Sequence, residues 1–103
     1  MILKELEKTI HARQFEASSS SWTAKLLAEG PEKCAEKFGE EAIEAIIEAV
    51  KGDTEKLTLE AADVLYHLLV MLASQNVKLE DVYAVLEKRS GTSGVVEKAL
   101  RSK

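Results

Sequence analysis

The sequence predicts an all-α protein, an antiparallel helical bundle completed by association with further copies of the chain. Three observations carry that expectation. Apolar residues recur three and four positions apart through every long segment, the period of an amphipathic helix. No segment shows the two-residue alternation of a half-buried strand. The run from Leu57 to Ala73 is apolar on almost every side, so it calls for burial all round, and two long helices cannot cover that circumference by themselves.

Taken in order, Ile2, Leu3, Leu6 and Ile10 mark one face of a first helix that ends near Arg13. The serine run 18–21 is a loop. A short second helix follows from about Trp22 to Glu29, with a serine hydroxyl as N-cap and Gly30 as the stop. Pro31 opens a third helix, at the one position where its missing N–H has no partner to lose. Cys34, Phe38, Ala42, Ile46, Ala49 and Val50 form its apolar stripe, and Lys51-Gly52 closes it. Asp53 or Thr54 caps a fourth helix running to about Asn76, which the composition says must be buried. A fifth helix covers Leu79 to Lys88 and stops at Gly91, and residues 95–101 add one or two more turns.

At 103 residues the chain reads as a single domain, 1–103, without a linker between two cores. Its 18 acidic and 14 basic side chains give a net charge of −4 that is unevenly spread. Residues 32–63 hold 10 acids and 4 bases, so this stretch repels nucleic acid, and a polyphosphate approaches it only through bridging cations. Cys34 is the sole cysteine, which leaves neither an intrachain disulfide nor a thiolate zinc site and suits the cytoplasm. The start of the chain lacks the apolar core of a signal peptide. The densest apolar run, 64–73, is broken by His67 and falls far short of the ~20 residues a bilayer needs, so no membrane span is expected.

Glu41-x-x-Glu44 and Glu60-x-x-Asp63 set two carboxylates on one face of each long helix, because positions three apart project from nearly the same side. Glu40 stands directly before the first pair, and Lys37 one turn before Glu41. Glutamate-rich helix faces are commonly just solvated. Here, however, Glu60 and Asp63 interrupt a helix with no wide polar face, and buried carboxylates without a cation are expensive. Two such pairs make a clamp for a hard divalent cation, with Mg²⁺ the first choice and Mn²⁺ a substitute. His67 reads as a hydrogen-bonded core histidine; a di-iron bundle would want Glu-x-x-His, and Asp63 fills that second slot. Gly39 costs its helix ~0.8–1.0 kcal/mol against alanine, which close approach of a ligand or another helix would explain, as would local flexibility.

The segments Lys37-Phe38-Gly39-Glu40-Glu41-Ala42-Ile43-Glu44 and Glu60-Ala61-Ala62-Asp63-Val64-Leu65-Tyr66-His67 resemble the phosphoribosyl-ATP pyrophosphatases of histidine biosynthesis, within the all-α MazG-like nucleotide pyrophosphohydrolases. The acidic pattern marks only the superfamily. Ser21-Trp22-Thr23, Tyr66-His67-Leu68-Leu69 and Thr92-Ser93-Gly94 carry the narrower likeness, which spans nearly the whole chain. Trp22 stands where the family has tyrosine, keeping an aromatic platform without the hydroxyl.

The resemblance implies Mg²⁺-assisted attack of water on the α–β phosphoanhydride of phosphoribosyl-ATP, yielding phosphoribosyl-AMP and pyrophosphate. Glu41, Glu44, Glu60 and Asp63 would hold the metal, and Glu40 would act either as an orienting group or as general base, a choice the sequence leaves open. Lys37 is the best-placed phosphate cation; Arg13, Lys25 and Arg89 are further candidates that equally suit an ordinary surface role. Ser21 and Thr23 are candidate phosphate or ribose contacts, although capping explains Ser21 as well. The partners implied are a second copy of the chain, as homodimer or higher assembly, and a separate phosphoribosyl-AMP cyclohydrolase for the next step. Two other readings stand beside this one: a housecleaning nucleoside triphosphate pyrophosphatase with the same metal site, and a non-catalytic helical dimerisation module.

Overall fold

A computed structural model describes residues 2–90 and places in them five helices and no strand: α1 (Ile2–Arg13), α2 (Trp22–Glu29), α3 (Pro31–Lys51), α4 (Thr54–Ser74) and α5 (Leu79–Arg89). The punctuation follows local chemistry. The Ser21 hydroxyl accepts from the Ala24 N–H at 3.1 Å and starts α2. Gly30, at φ +97°, ends α2 through bonds to the Leu26 and Leu27 carbonyls and also starts α3, with Pro31 behind it. Gly52 closes α3 in the left-handed region at φ +77°, and of the two expected caps it is Asp53 that accepts from Lys56 N–H, at 3.0 Å.

Two boundaries move slightly. α4 ends at Ser74 rather than near Asn76, because Asn76 adopts φ +58°, a left-handed conformation that asparagine tolerates and that stops a helix. α5 runs one residue further than expected, to Arg89; its start is held by Glu7 of α1, whose Oε2 accepts from Leu79 N–H at 2.7 Å. The expected stop at Gly91, the turns at 95–101 and the Thr92-Ser93-Gly94 motif lie outside the described residues.

α3 and α4 form an antiparallel hairpin about the Gly52-Asp53 turn. α1, α2 and α5 gather at the far end of it, where Ile10, Leu26, Cys34, Leu69, Val70, Ala73 and Leu79 make the core. The Cys34 thiol sits inside that core and donates to the Leu26 carbonyl at 3.3 Å. Burial pushes its pKa up, so it stays a protonated, unreactive group.

The expectation that α4 is buried is met only over its second half, at His67, Leu69, Val70 and Ala73. Toward the turn the hairpin carries no second layer among the described residues: Leu59 is 67% exposed and Val50 84%, with Ile43, Ile46 and Ile47 of α3 also open. The radius of gyration, 15.9 Å against about 13 Å for a compact chain of this size, reflects that projecting arm. By length and composition alone, with a mean hydropathy of 1.4 over its most apolar 18 residues, α4 would suffice to cross a bilayer, a test that the core helix of a soluble protein also passes. Glu60, Asp63 and His67 on the same helix argue against that use, since a carboxylate at mid-bilayer costs at least ~2.5 kcal/mol.

A Cβ on Gly39 meets nothing within 4 Å among the described residues, so none of the five helices demands a glycine there. Gly39→Ala is therefore expected to stabilise the isolated chain by ~0.8–1.0 kcal/mol in urea denaturation. Lost hydrolysis in that stabilised variant would identify the space as one filled by substrate or by another subunit.

Candidate active site

Glu41 and Asp63 lie about equally far from the Gly52-Asp53 turn, as do Glu44 and Glu60, so the antiparallel hairpin brings the two acidic pairs face to face. One oxygen each of Glu41, Glu60 and Asp63 falls within 4.8 Å of the others. Glu44 joins the group from the solvent side, close enough for its charge to raise both Glu41 and Glu60.

The electrostatic consequences are direct. Desolvation, the hydrogen bond with Glu44, and repulsion from Glu44, Glu41 and Asp63 push Glu60 from 4.5 up to about 7. Desolvation and the Glu44 charge likewise raise Glu41, against a smaller opposing pull from His67. The folded state thus holds the Glu60 proton more tightly than the unfolded chain does. That contribution to stability is complete below pH 4.5 and is lost as pH rises through about 7. In chelator-treated protein, the thermal midpoint of wild type relative to Glu60→Gln is expected to fall across that window. A pH-independent difference would detach Glu60 from the cluster.

The donor set fits a hard divalent cation. All its atoms are carboxylate oxygens, and Glu60 Oε2 is buried without a hydrogen-bond partner among the described residues. Mg²⁺ asks for such oxygens and completes its shell with water and phosphate.

Around this cluster the remaining candidates divide. Glu40 turns away from it to pair with Lys37 at 3.1 Å, and Lys37 in turn lies 5.8 Å from the centroid of the Trp22 indole. Lys25 lies 5.7 Å from the same ring, so α2 and α3 together present an exposed indole between two ammonium groups. The pairing with Glu40 holds the Lys37 pKa up, keeping it cationic. Ser21 spends its hydroxyl on the α2 cap. Thr23 is buried, and its hydroxyl bonds that of Tyr66. Arg13 pairs with Glu16 at 3.1 Å beyond the end of α1, and Arg89 occupies the last turn of α5. His67 is buried and its Nδ1–H donates to the Asp63 carbonyl at 2.9 Å, as a core histidine should. The sequence supplied no role for the Tyr66 hydroxyl; only its distant partner reveals one.

A model of the family described as phosphoribosyl-ATP pyrophosphohydrolase matches residues 3–90, and so covers every residue of this site. The chain belongs to the phosphoribosyl-ATP pyrophosphohydrolase family. A "Phosphoribosyl-ATP pyrophosphatase" from Dinoroseobacter shibae is 70% identical over 100 residues, covering 97% of this chain and 98% of its own length. One from Ruegeria pomeroyi is 68% identical over 102 residues, with 99% and 97% covered. A third, from Jannaschia sp., is 67% identical over 99 residues, with 96% and 97% covered. In this member of the phosphoribosyl-ATP pyrophosphohydrolase family, the acid cluster and the Trp22 corner lie on the two faces of α3 nearest α4 and α2.

Proposed function

We propose that the chain hydrolyses phosphoribosyl-ATP at its α–β phosphoanhydride, releasing pyrophosphate and leaving phosphoribosyl-AMP, the second step of histidine biosynthesis. The near full-length family match carries this reading, because it includes both acidic helices and the Trp22 corner together.

On this reading Glu41, Glu44, Glu60 and Asp63 hold Mg²⁺, which when bound offsets phosphate charge and acidifies a coordinated water. The chain's own groups do the rest. Lys37 and Lys25 balance the remaining negative charge of the triphosphate, and Glu40 holds Lys37 in place. Trp22 offers the adenine ring a stacking surface. Water is the nucleophile, and a carboxylate of the acidic group takes its proton. The apolar outer face of the hairpin packs against a second copy, giving a homodimer, and the protein works in the cytoplasm without contact with membrane or nucleic acid.

Pyrophosphate release from phosphoribosyl-ATP, measured with and without Mg²⁺ beside a panel of nucleoside triphosphates, tests the proposal. Metal-dependent release with phosphoribosyl-ATP preferred is the expected result. Preference for deoxynucleoside or modified triphosphates would replace it with a housecleaning role, and no metal-dependent release from any substrate would leave a dimerisation module.

A further inference from the structure

Thr23 and Tyr66 stand 43 positions apart in sequence, yet their hydroxyls meet and bridge α2 to α4. Both ends of the bridge border the active site. Thr23 follows Trp22 and lies two residues before Lys25, the side chains that α2 presents to the Trp22 corner. Tyr66 comes three residues after Asp63 on the same side of α4. Its ring meets His67 edge-on, with centroids 4.9 Å apart, and His67 Nδ1–H donates to the Asp63 carbonyl. One hydroxyl pair thus ties the helix carrying the indole to the turn carrying a cluster carboxylate.

Among the described residues, α2 is otherwise tied by its Gly30 link to α3 and by the Cys34 thiol's bond to the Leu26 carbonyl, both toward its C-terminal end. It is eight residues long, and it is anchored by Ala24 and Leu26 in the core. Apolar burial is non-directional and permits rotation or sliding, whereas a hydrogen bond between two part-buried hydroxyls specifies both distance and angle.

We propose that Thr23 and Tyr66 are a positioning pair: their hydrogen bond sets the distance and angle between the Trp22–Lys25 face of α2 and the carboxylate cluster of α4. Neither side chain contacts the substrate. This reading moves Thr23 from a phosphate contact to a strut, and it rests on the hydrolase assignment for its kinetic arm alone.

The test uses Thr23→Val, Thr23→Ser, Tyr66→Phe and the double variant Thr23→Val/Tyr66→Phe. Each single deletion strands one part-buried hydroxyl, while the double variant strands none and should regain thermal stability. The two single deletions are expected to lower kcat/KM for phosphoribosyl-ATP at least tenfold, and Thr23→Ser to stay within twofold of wild type. The double variant should keep the kinetic loss despite its recovered thermal midpoint. Trp22 is the only tryptophan of the chain, so its acrylamide quenching reports the attitude of α2 without substrate or metal. Quenching should rise in Thr23→Val and in the double variant and stay unchanged in Thr23→Ser. Activity that returns with stability in the double variant, or quenching that does not move, overturns the proposal. If the wild-type chain releases no pyrophosphate, the assigned reaction falls, and quenching alone decides the pair.

Discussion

Asp63→Asn and Glu44→Gln are each expected to abolish turnover of phosphoribosyl-ATP while leaving the helical content of the chain intact. Exchanging an anionic ligand for a neutral amide forfeits part of a charge stabilisation of several kcal/mol, and at ~1.4 kcal/mol per decade a loss of ~4 kcal/mol slows the rate about a thousandfold. Stability should move the other way. In metal-free protein, carboxylates converge with oxygens 4.8 Å apart or less, so neutralising one relieves repulsion, and the thermal midpoint of the variant should equal or exceed that of wild type. Wild type should gain stability on adding Mg²⁺, and the variants should gain far less. Calorimetry of the three proteins with and without Mg²⁺, beside the hydrolysis assay, checks both signs. Near-wild-type turnover in both variants would remove the cluster from the chemistry.

The second large effect concerns the hairpin's outer face. Ile46 is 61% exposed and Ile43 59%, and with Ile47, Val50, Leu59 and Leu65 they form an apolar surface of a kind single chains seldom leave to water. Sedimentation at micromolar concentration should therefore give a dimer or higher assembly. Ile46→Glu should convert it to monomer. Its neighbours one turn away are Ala42, Ile43, Ala49 and Val50, so the new charge meets no acidic residue on its own helix face and costs the isolated chain little. In a closed interface the same carboxylate costs several kcal/mol, which weakens association by about a thousandfold or more. A wild-type monomer, or an Ile46→Glu dimer of unchanged affinity, would refute the arrangement.

The sequence made most of the helices legible because their boundaries have local causes. Ser21, Gly30-Pro31 and Gly52-Asp53 act through their own backbone preferences, and each falls where expected. The end of α4 was missed by two residues because left-handed asparagine is a choice made by the whole turn. The acidic cluster was legible for a similar reason: three-residue spacing fixes a face, and a short turn between two long helices makes the faces meet. Pairings between distant segments were not legible. Nothing near Thr23 announces Tyr66, and Glu7 gives no sign in sequence of capping α5. Glu40 reads as a fifth member of the cluster until its ion pair with Lys37 is seen. The apolar circumference of α4 was read as needing cover, but sequence gives no measure of how much of it one chain supplies.

All the core side chains lie at one end of the hairpin, whereas Glu41, Glu44, Glu60 and Asp63 lie between that end and the bare turn. Amide exchange should consequently grade along α4, slowest about Val70 and faster toward Thr54, because the outer turns open by local separation of two helices rather than by global unfolding. The acids proposed to share a cation thus sit outside the core end of the hairpin. A cation bridging α3 to α4 there would close the outer hairpin much as a cross-link would, so added Mg²⁺ is expected to slow exchange over the outer turns.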